Sequence, residues 1–361
     1  MRVLLSTPDF PPRTGGIQLL LARLVESSSH RIRVVTVDAP GSDGSGSGID
    51  VVRTPPIPDH RAEVVALNLE TLRQVRRWRP QAHICGHVVI APAALAAQAH
   101  LDVPALQYVY SDELRRRHGL ARLALGRAAA SIAISEHTRA QALALGANPN
   151  RLHLVPPGVD LPDVPVPDAD VRTSLQPTIV TVARMEDRYK GFDVMLRALP
   201  LVRERVPGAR WVAIGDGPLR GLVRDTAAAW GLGDACLFPG RLSDADRDAW
   251  LARSHVFALP SRVISDRGGG EGFGIVYLEA GTHYLPCVAG AGSGGSEAVE
   301  HGETGLVVDP YDHVAVAEAL VDLLSDPIRA AEMGRAGRRH AQEYSWRRMT
   351  AAVDGILESI I

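Results

Sequence analysis

The sequence predicts an α/β protein made of two doubly wound, Rossmann-like domains that face each other across a cleft. The chain has 361 residues, enough for two domains that each bury a core. Short apolar or β-branched runs alternate with longer helical patterns from end to end, as in βα units with parallel sheets. A proline-rich stretch, residues 156–177, interrupts this alternation near its middle.

The first domain is predicted to cover residues 1–160. Its strands are expected at Val3–Ser6, Ile32–Val37, Ala82–Gly86, Ala105–Tyr110, Ser131–Ile134 and Leu152–Val155. Helical patterns between them include Val64–Trp78 and Glu136–Leu145, and we expect Ser135 to cap the latter. The Gly- and Ser-rich residues 41–48 predict a surface loop.

Residues 161–177 are predicted to be a linker, and residues 178–344 the second domain. Its strands are expected at Thr178–Val182, Trp211–Ile214, Cys236–Phe238, Val256–Leu259, Cys287–Ala289 and Gly305–Val308. A last helix within residues 345–361 is expected to pack back on the first domain. Ligands of such sheets bind at the carboxyl ends of the strands, so we expect functional residues in the loops there.

The formal net charge of -2 is unevenly distributed. Residues 1–155 carry 18 arginines against 12 acidic residues, a charge of +6, which leaves -8 for the rest of the chain. A basic first half suits an anionic acceptor or an anionic membrane surface, and equally a solvated arginine-rich face. Because no nucleic-acid-binding motif accompanies the arginines, no nucleic-acid partner is expected.

The cysteine pattern indicates a reduced, cytoplasmic protein. Cys85, Cys236 and Cys287 are far apart in apolar runs, without zinc spacing or a CxxC motif. Met1 leads directly into the first predicted strand, and no apolar run approaches the length of a membrane span. Any membrane contact is therefore expected to be peripheral, at the inner face.

Lysine occurs once, at Lys190, against 38 arginines. Such a ratio is typical of a GC-rich genome, in which neutral drift converts lysine codons to arginine. A lysine that persists suggests chemistry for a compact ammonium, such as binding a phosphate or a sugar hydroxyl in a tight site. Chance survival is the alternative.

The strongest motif is the segment from Glu271 to Glu279. Its Gly-Phe-Gly lets the backbone approach a ligand closely and opens a helix whose free N–H groups bind phosphate. Glu271 precedes that helix and can reach the group beyond the phosphate. Glu279 leans back toward the helix N-terminus and can accept both hydroxyls of a ribose. The alternative is an amphipathic helix with two incidental carboxylates. The residues expected to hold the diphosphate are Gly272, Phe273, Gly274 and Ile275.

With these residues the chain resembles the retaining glycosyltransferases of family 4, which have the GT-B fold and an E-x7-E motif. The similarity extends over nearly the whole chain. Further matching segments are Phe10–Gln18, Val155–Asp160, Arg184 with Lys190-Gly191, Gly215–Pro218 and Gly294–Glu297. The Gly268–Gly270 insertion resembles the phosphatidylinositol mannosyltransferase branch of actinobacteria.

The resemblance implies transfer of a hexose from a nucleotide-diphosphate sugar to a hydroxyl acceptor, without cofactor or metal. Arg184 and Lys190 would neutralise the departing phosphate, and Glu271 would hold the hydroxyls of the donor sugar. Further donor contacts are expected from Gly15, Gly16, Gly215, Arg241 and Leu242. The leading donor is GDP-mannose, with a UDP-hexose as the alternative. The acceptor stays open between a glycolipid, a thiol or hydroxyl metabolite precursor and a natural-product scaffold.

Two patterns that resemble metal sites are assigned structural roles. The pairs Asp168/Asp170 and Asp244/Asp246 resemble a DxD motif, but the first lies in the linker and the second follows the expected helix cap Ser243. His83 and His87 lie on a strand, where four residues span about 13 Å, so they cannot share a metal.

One position departs from the family pattern. Members commonly carry a histidine just before a glutamate after the fourth predicted strand, where this chain has Tyr110 and then Glu113. With a reference pKa near 10, Tyr110 is expected to position the donor sugar rather than move a proton. The alternative from another functional class is a protein that binds nucleotide sugars but has lost catalytic activity together with this histidine.

Overall fold

The computed structural model describes residues 1–38, 48–166, 176–264 and 270–361, which form two compact units. Unit 1 comprises Met1–Gly158 with Trp346–Ile361, and unit 2 comprises Val159–Ser345. Most of the expected loop at 41–48 lies outside the described residues. The same holds for residues 167–175 of the expected linker, with Asp168 and Asp170, and for Gly268 and Gly269.

Unit 1 is an α/β unit around a parallel sheet. Its strands are β1 (Arg2–Ser6), β2 (Arg31–Val37), β3 (Asp50–Thr54), β4 (Ala82–Cys85), β5 (Ala105–Val109), β6 (Ala130–Ala133) and β7 (Leu152–Leu154). Its helices are α1 (Gly16–Ser27), α2 (His60–Trp78), α3 (Ala91–Leu101), α4 (Ser111–Arg116), α5 (His118–Arg127), α6 (Glu136–Ala144) and, from the chain end, α13 (Trp346–Ser359). The sheet order is β3-β2-β1-β4-β5-β6-β7.

The central strands of unit 1 are buried on both faces, as expected for a sheet covered by helices on each side. Val3, Leu4 and Leu5 of β1 are fully buried, and β1 pairs in parallel with both β2 and β4. The edge strand β3 was not predicted, because its five residues are mostly half-buried and include only two apolar ones. Two adjacent valines are too short an apolar run to predict a strand.

Local capping sets the helix starts in unit 1. Helix α2 begins four residues before the predicted Val64, because Asp59 Oδ1 accepts a hydrogen bond from the backbone N–H of Ala62 at 2.8 Å. The predicted cap at Ser135 is confirmed, since its Oγ accepts from the N–H of Thr138 at 3.0 Å. None of the helices in the described ranges is long and apolar enough to span a bilayer.

The last helix, α13, belongs to unit 1 and packs against α1. Asp354 anchors it, because its carboxylate accepts from Ser28 Oγ at 2.7 Å and from the backbone N–H of Ser29 at 2.9 Å. The chain therefore returns to unit 1 after completing unit 2.

Unit 2 repeats the same design. Its strands are β8 (Thr178–Val182), β9 (Arg210–Ile214), β10 (Cys236–Gly240), β11 (Val256–Leu259), β12 (Cys287–Gly290) and β13 (Gly305–Val308). Its helices are α7 (Phe192–Arg205), α8 (Leu219–Ala229), α9 (Asp244–Arg253), α10 (Ile275–Thr282), α11 (His313–Ser325) and α12 (Pro327–Glu343). The parallel sheet has the order β10-β9-β8-β11-β12-β13, so strand order reverses between β8 and β11.

Aromatic side chains fill the core of unit 2. Trp211 is fully buried on β9, between Phe192 and Phe238, with ring centroids 6.3 and 5.7 Å away. Phe257 on β11 meets Tyr277 of α10 edge to face at 5.5 Å. This packing fixes α10 against β11, the strand whose following loop carries Glu271.

Candidate active site

Lys190 and Glu271 meet at the carboxyl end of the unit 2 sheet. Lys190 ends the loop after β8 and Glu271 lies in the loop after β11, the two strands between which strand order reverses. Lys190 Nζ is 2.5 Å from Glu271 Oε2, and the two side chains are only 11% and 15% exposed. The structure thus brings together two predicted site residues at the place where open α/β sheets bind ligands.

The ammonium of Lys190 is held in its charged form. Burial alone lowers its pKa, but the adjacent Glu271 carboxylate outweighs burial, so the pKa of Lys190 rises above its usual 10.5. Nζ also lies 5.0 Å from the ring centroid of Tyr189. The site therefore offers a fixed point cation with little water around it.

Gly191 explains the Lys-Gly pairing in the sequence. Its φ of 76° lies in the left-handed region, and a Cβ there would be 2.3 Å from the carbonyl oxygen of Pro260. Only glycine lets the loop of Lys190 approach the loop after β11 this closely. The backbone N–H of Arg262 also donates to Tyr189 O at 2.8 Å, which ties the two loops together.

Arg184 lies near Lys190, but its guanidinium pairs with a different carboxylate from the one that Lys190 contacts. Its charge counts among the influences that lower the pKa of Lys190, while its own guanidinium, 57% exposed, is 2.8 Å from Glu186 Oε2. The sequence reasoning did not assign a role to Glu186. The expected phosphate contact of Arg184 stays a prediction.

Gly215 acts on the loop of Arg184 through the backbone. At its φ of 141° an added Cβ would lie 1.9 Å from Ala183 O, and one on Gly217 would lie 2.5 Å from Met185 O. The loop after β9 therefore packs directly on the residues that flank Arg184. Gly215 shapes the site, and its expected contact with the donor stays a prediction.

Helix α10 begins as the motif predicts. Gly274 precedes it in the left-handed region, with φ 81°, and no side chain caps the first turn, which is the arrangement that a phosphate-binding helix N-terminus needs. Phe273 is buried, with its ring centroid 5.6 Å from that of Tyr344. Gly272 and Ile275 are half-buried beside it.

Two glycines after β12 seat Glu271. The N–H of Gly294 donates to Glu271 O at 3.0 Å, and a Cβ on Gly295 would be 2.8 Å from Glu271 Cγ. The carboxylate thus rests on bare backbone, which fixes its direction. The sequence motif Gly294–Glu297 carries this signal, although its supporting role follows only from the structure.

Glu279 lies on α10, away from the Lys190–Glu271 pair. Burial raises its pKa, while the charge of Arg247 on α9 acts to lower it. Arg247 is bound in turn by Asp244 at 3.0 Å and by Asp248 at 3.0 Å. Nothing in the sequence spacing indicated Arg247, because it comes from a different helix.

The predicted donor contacts that follow β10 have less structural support. Arg241 is exposed and Leu242 is half-buried, between β10 and α9. The expected cap at Ser243 is confirmed, since its Oγ accepts from the N–H of Asp246 at 3.1 Å. Asp244 and Asp246 therefore belong to the first turn of α9, as the sequence reasoning held.

Gly15 and Gly16 lie in unit 1, at the start of α1. Gly15 precedes the helix and Gly16 is its first residue, and no side chain caps this end. Gln18 Nε2 donates to Asp9 Oδ1 at 2.9 Å, which holds the loop after β1. Gly15 is half-buried and Gly16 is exposed, and the predicted diphosphate contact stays a prediction.

Tyr110, also in unit 1, is buried between β5 and α4. Its ring stacks on Tyr108 with centroids 6.1 Å apart, and its hydroxyl has no hydrogen-bond partner among the described residues. Burial raises the pKa of Tyr110 well above 10. A proton-accepting role for this residue near neutral pH is therefore unfavourable.

His83 and His87 contact different residues and have separate structural roles. His83 is fully buried on β4, with Nε2 3.0 Å from Ser6 Oγ. His87 follows the strand, and its Nδ1 is 3.1 Å from Glu113 Oε2. No sequence motif indicates this contact of His87, because it joins two loops that are distant in the sequence.

Two family models match the chain. Residues 16–162 match the model described as Glycosyltransferase Family 4, and residues 170–340 match the model described as Glycosyl transferases group 1. Together they cover most of each unit.

Named relatives align with nearly the whole chain. It is 34% identical to a GDP-mannose-dependent alpha-(1-6)-phosphatidylinositol monomannoside mannosyltransferase of Mycobacterium tuberculosis, over 99% of this chain and 98% of the relative. It is 32% identical to a GDP-mannose-dependent monoacylated alpha-(1-6)-phosphatidylinositol monomannoside mannosyltransferase of Corynebacterium glutamicum, with the same coverage of both chains.

Solved structures share the fold. Sucrose-phosphate synthase of Thermosynechococcus elongatus matches with a TM-score of 0.84 at 20% identity, over 99% of this chain and 98% of that one. Anabaena HepE in complex with UDP and glucose matches with a TM-score of 0.80 at 18% identity, over 99% of each chain. These likenesses confirm the predicted fold class, two Rossmann-like domains of the GT-B type.

Proposed function

The chain belongs to the family 4, group 1 glycosyltransferases, and we propose that it moves mannose from GDP-mannose to a hydroxyl of a phosphatidylinositol mannoside. Retention of configuration and independence from metal are part of this proposal. The enzyme class follows from the family, and the donor, acceptor and stereochemistry are what the proposal adds.

Similarity to the named relatives supports the choice of donor and acceptor. The relatives from Mycobacterium tuberculosis and Corynebacterium glutamicum are both GDP-mannose-dependent and act on phosphatidylinositol monomannoside. Because the alignments run over 99% of this chain, they include the donor-side motifs and nearly all of unit 1. A lipid acceptor also suits the formal charge of +6 over residues 1–155, which favours peripheral contact with an anionic membrane.

The single observation that carries the mechanism is the 2.5 Å contact between Lys190 and Glu271. The transfer reaction takes place at the bond between the sugar and the diphosphate. It needs a cation there to bind the phosphate and a carboxylate to bind the sugar hydroxyls. In the free protein each neutralises the other. A bound donor would separate them, with its phosphate taking the ammonium and its sugar taking the carboxylate.

The chemical step requires negative charge to be stabilised on the departing diphosphate. Lys190 and the open N-terminus of α10 would supply that stabilisation, joined by Arg184 once it leaves Glu186. The bond between the anomeric carbon and the phosphate oxygen breaks, and a bond from the acceptor oxygen forms on the same face. The acceptor proton passes to the departing phosphate oxygen, so the step needs no separate protein base.

A donor screen tests the proposal. Purified enzyme is melted with GDP, GDP-mannose, UDP, UDP-glucose and UDP-galactose, and then assayed for transfer of radiolabelled mannose to phosphatidylinositol monomannoside in detergent micelles. We expect the GDP ligands to raise Tm most and a labelled dimannoside lipid to form. Stabilisation by UDP-sugars alone, or transfer only from a UDP-hexose, would replace the donor assignment. Lys190→Ala, for which we expect a strongly reduced rate of transfer, is the matched control.

A further inference from the structure

A cluster of titratable side chains lies in unit 1, at the carboxyl ends of three adjacent strands. Asp9 follows β1, His87 follows β4, and Glu113 lies three residues after Tyr110 at the end of β5. Strands β1, β4 and β5 are neighbours in the sheet, so the loops that follow them meet. None of the donor-binding roles above uses His87 or Glu113.

Glu113 is the centre of this cluster. It is 4% exposed, and its two oxygens accept hydrogen bonds from different loops, Oε1 from the N–H of Tyr110 and Oε2 from the N–H of Val88, each at 3.0 Å. A buried carboxyl group that bridges two backbone segments is a rigid support.

The carboxyl group of Glu113 also contacts the ring of His87. Nδ1 of His87 lies 3.1 Å from Glu113 Oε2 and accepts from the N–H of Val89 at 3.1 Å. Both contacts are on the Nδ1 side, so the side of the ring left for a ligand is the Nε2 edge. The side chain is 18% exposed, enough for one hydrogen bond to a bound molecule.

We propose that His87 binds the hydroxyl of the acceptor through Nε2, and that Glu113 is the positioning residue that aims the ring. This inference rests on the proposed function, because it assumes a hydroxyl acceptor. It assigns an acceptor contact to a histidine from the loop after β4.

The protonation of the pair suits a hydrogen-bond donor rather than a base. Burial and the nearby charges of Arg117 and His60 lower the pKa of His87 to about 4. Burial raises the pKa of Glu113 to about 8, against the two backbone hydrogen bonds that lower it. At pH 7 the imidazole is neutral, and a ring whose Nδ1 accepts carries its hydrogen on Nε2. His87 then donates to the acceptor oxygen and leaves the hydroxyl hydrogen free for the departing phosphate.

Two substitutions separate ligand binding from support of the loop. In His87→Asn the side-chain amide can take the hydrogen-bonding place of Nδ1, and in His87→Gln it can take the place of Nε2. We expect His87→Asn to lower kcat/KM for phosphatidylinositol monomannoside about tenfold, mainly through the acceptor KM, and His87→Gln to recover most of the loss. Neither should change the Kd for GDP, measured by calorimetry. His100→Asn, an exposed position on α3, is the matched control.

Each outcome decides between the roles. Full activity in His87→Asn with loss in His87→Gln would mean that the ring only caps the turn at Val88–Ile90, and would overturn the inference. Equal losses in both variants, no loss in either, or a weakened GDP Kd would overturn it too. If the wild type forms no product, both the proposed function and the acceptor role of His87 are wrong. If the wild type is active, a loss in a variant can be assigned to His87 alone.

Discussion

Lys190 Nζ and Glu271 Oε2 are 2.5 Å apart although the two residues are 81 positions apart in the sequence. Their loops meet because Gly191 admits the backbone of Pro260 and because Gly294 and Gly295 leave room beneath Glu271. The glycines of the family motifs thus act on the site indirectly, by letting two charged loops approach each other.

Replacing Lys190 by arginine should be nearly as damaging as replacing it by alanine. The ammonium is 11% exposed, and a planar guanidinium cannot occupy the same space against Glu271 and Tyr189. Losing one charged hydrogen bond to the departing phosphate costs about 1.5–3 kcal/mol, or roughly ten- to a hundredfold in kcat/KM. Steady-state kinetics of both variants checks this, and an arginine variant with wild-type kcat/KM would contradict it.

Substitutions of the two glutamates of the motif should weaken the binding of different ligands. Glu279→Gln is expected to weaken GDP and GDP-mannose alike, because its assigned partner is the ribose. Glu271→Gln should weaken GDP-mannose but not GDP, because its assigned partner is the sugar. Calorimetric Kd values for both ligands and both variants test the split. Equal losses throughout would mean that the two carboxylates are wrongly assigned.

Removing the competitor of Arg184 should strengthen donor binding. Glu186→Gln releases the guanidinium from an exposed ion pair worth about 0.2–1 kcal/mol, so the Kd for GDP should fall by up to about fivefold. Arg184→Ala should weaken binding, and the double variant should resemble Arg184→Ala. A Kd for GDP that Glu186→Gln leaves unchanged, while Arg184→Ala weakens it, would show that the pair does not compete with the ligand.

The hydroxyl of Tyr110 can be removed without breaking a hydrogen bond within the described residues. Tyr110→Phe should therefore keep or slightly raise Tm, since it removes a buried, unpaired polar group. If the hydroxyl meets the donor sugar, kcat/KM should still fall by about two- to tenfold. Thermal melting and kinetics together separate the two effects. A thousandfold loss with intact donor affinity would place the hydroxyl in the chemical step.

The stability of the protein should fall between pH 6.5 and 8 in a way that depends on Glu113. Its folded pKa of about 8 lies above the usual 4.5, so its stabilising contribution is complete below pH 4.5 and is lost as pH rises through 8. The folded pKa of His87, about 4, lies below the usual 6.5, so its contribution is complete above pH 6.5 and is lost as pH falls through 4.

Only Glu113 of this pair therefore acts in the window from 6.5 to 8. The other charged groups that influence the pair, Asp9, Asp112, His60 and Arg117, are present in both proteins compared. Urea unfolding at pH 6.5, 7.2 and 8 should give a steeper decline for the wild type than for Glu113→Gln. Parallel declines would show that the carboxyl group does not titrate as its burial implies.

Much of the fold was predictable, because buried parallel strands are nearly continuous apolar runs. The bounds of β8, β11 and β13 agree with the prediction, and the other predicted strands differ at their ends by one or two residues. Strand β3 was missed because its five residues contain only two apolar ones. Helix α2 began earlier than expected because a cap at Asp59, not apolar spacing, sets its start.

The site was predictable only where a motif carries it. Lys190 and Glu271 were identified separately, one as a lone lysine and one in a spaced motif, and the fold supplied their contact. The contacts Arg184–Glu186 and His87–Glu113, like the influence of the Arg247 charge on Glu279, depend on side-chain direction or on distant loops. No periodicity in one sequence encodes such contacts, so they required the structure.

The most direct test of the account is mannosyl transfer in the presence of EDTA, with the anomeric configuration of the product read by NMR. Because Lys190, Arg184 and the N-terminus of α10 are assigned the charge of the departing diphosphate, GDP-mannose should yield an α-linked mannoside at an undiminished rate. Strict dependence on added Mg²⁺ or Mn²⁺, or a β-linked product, would contradict the account.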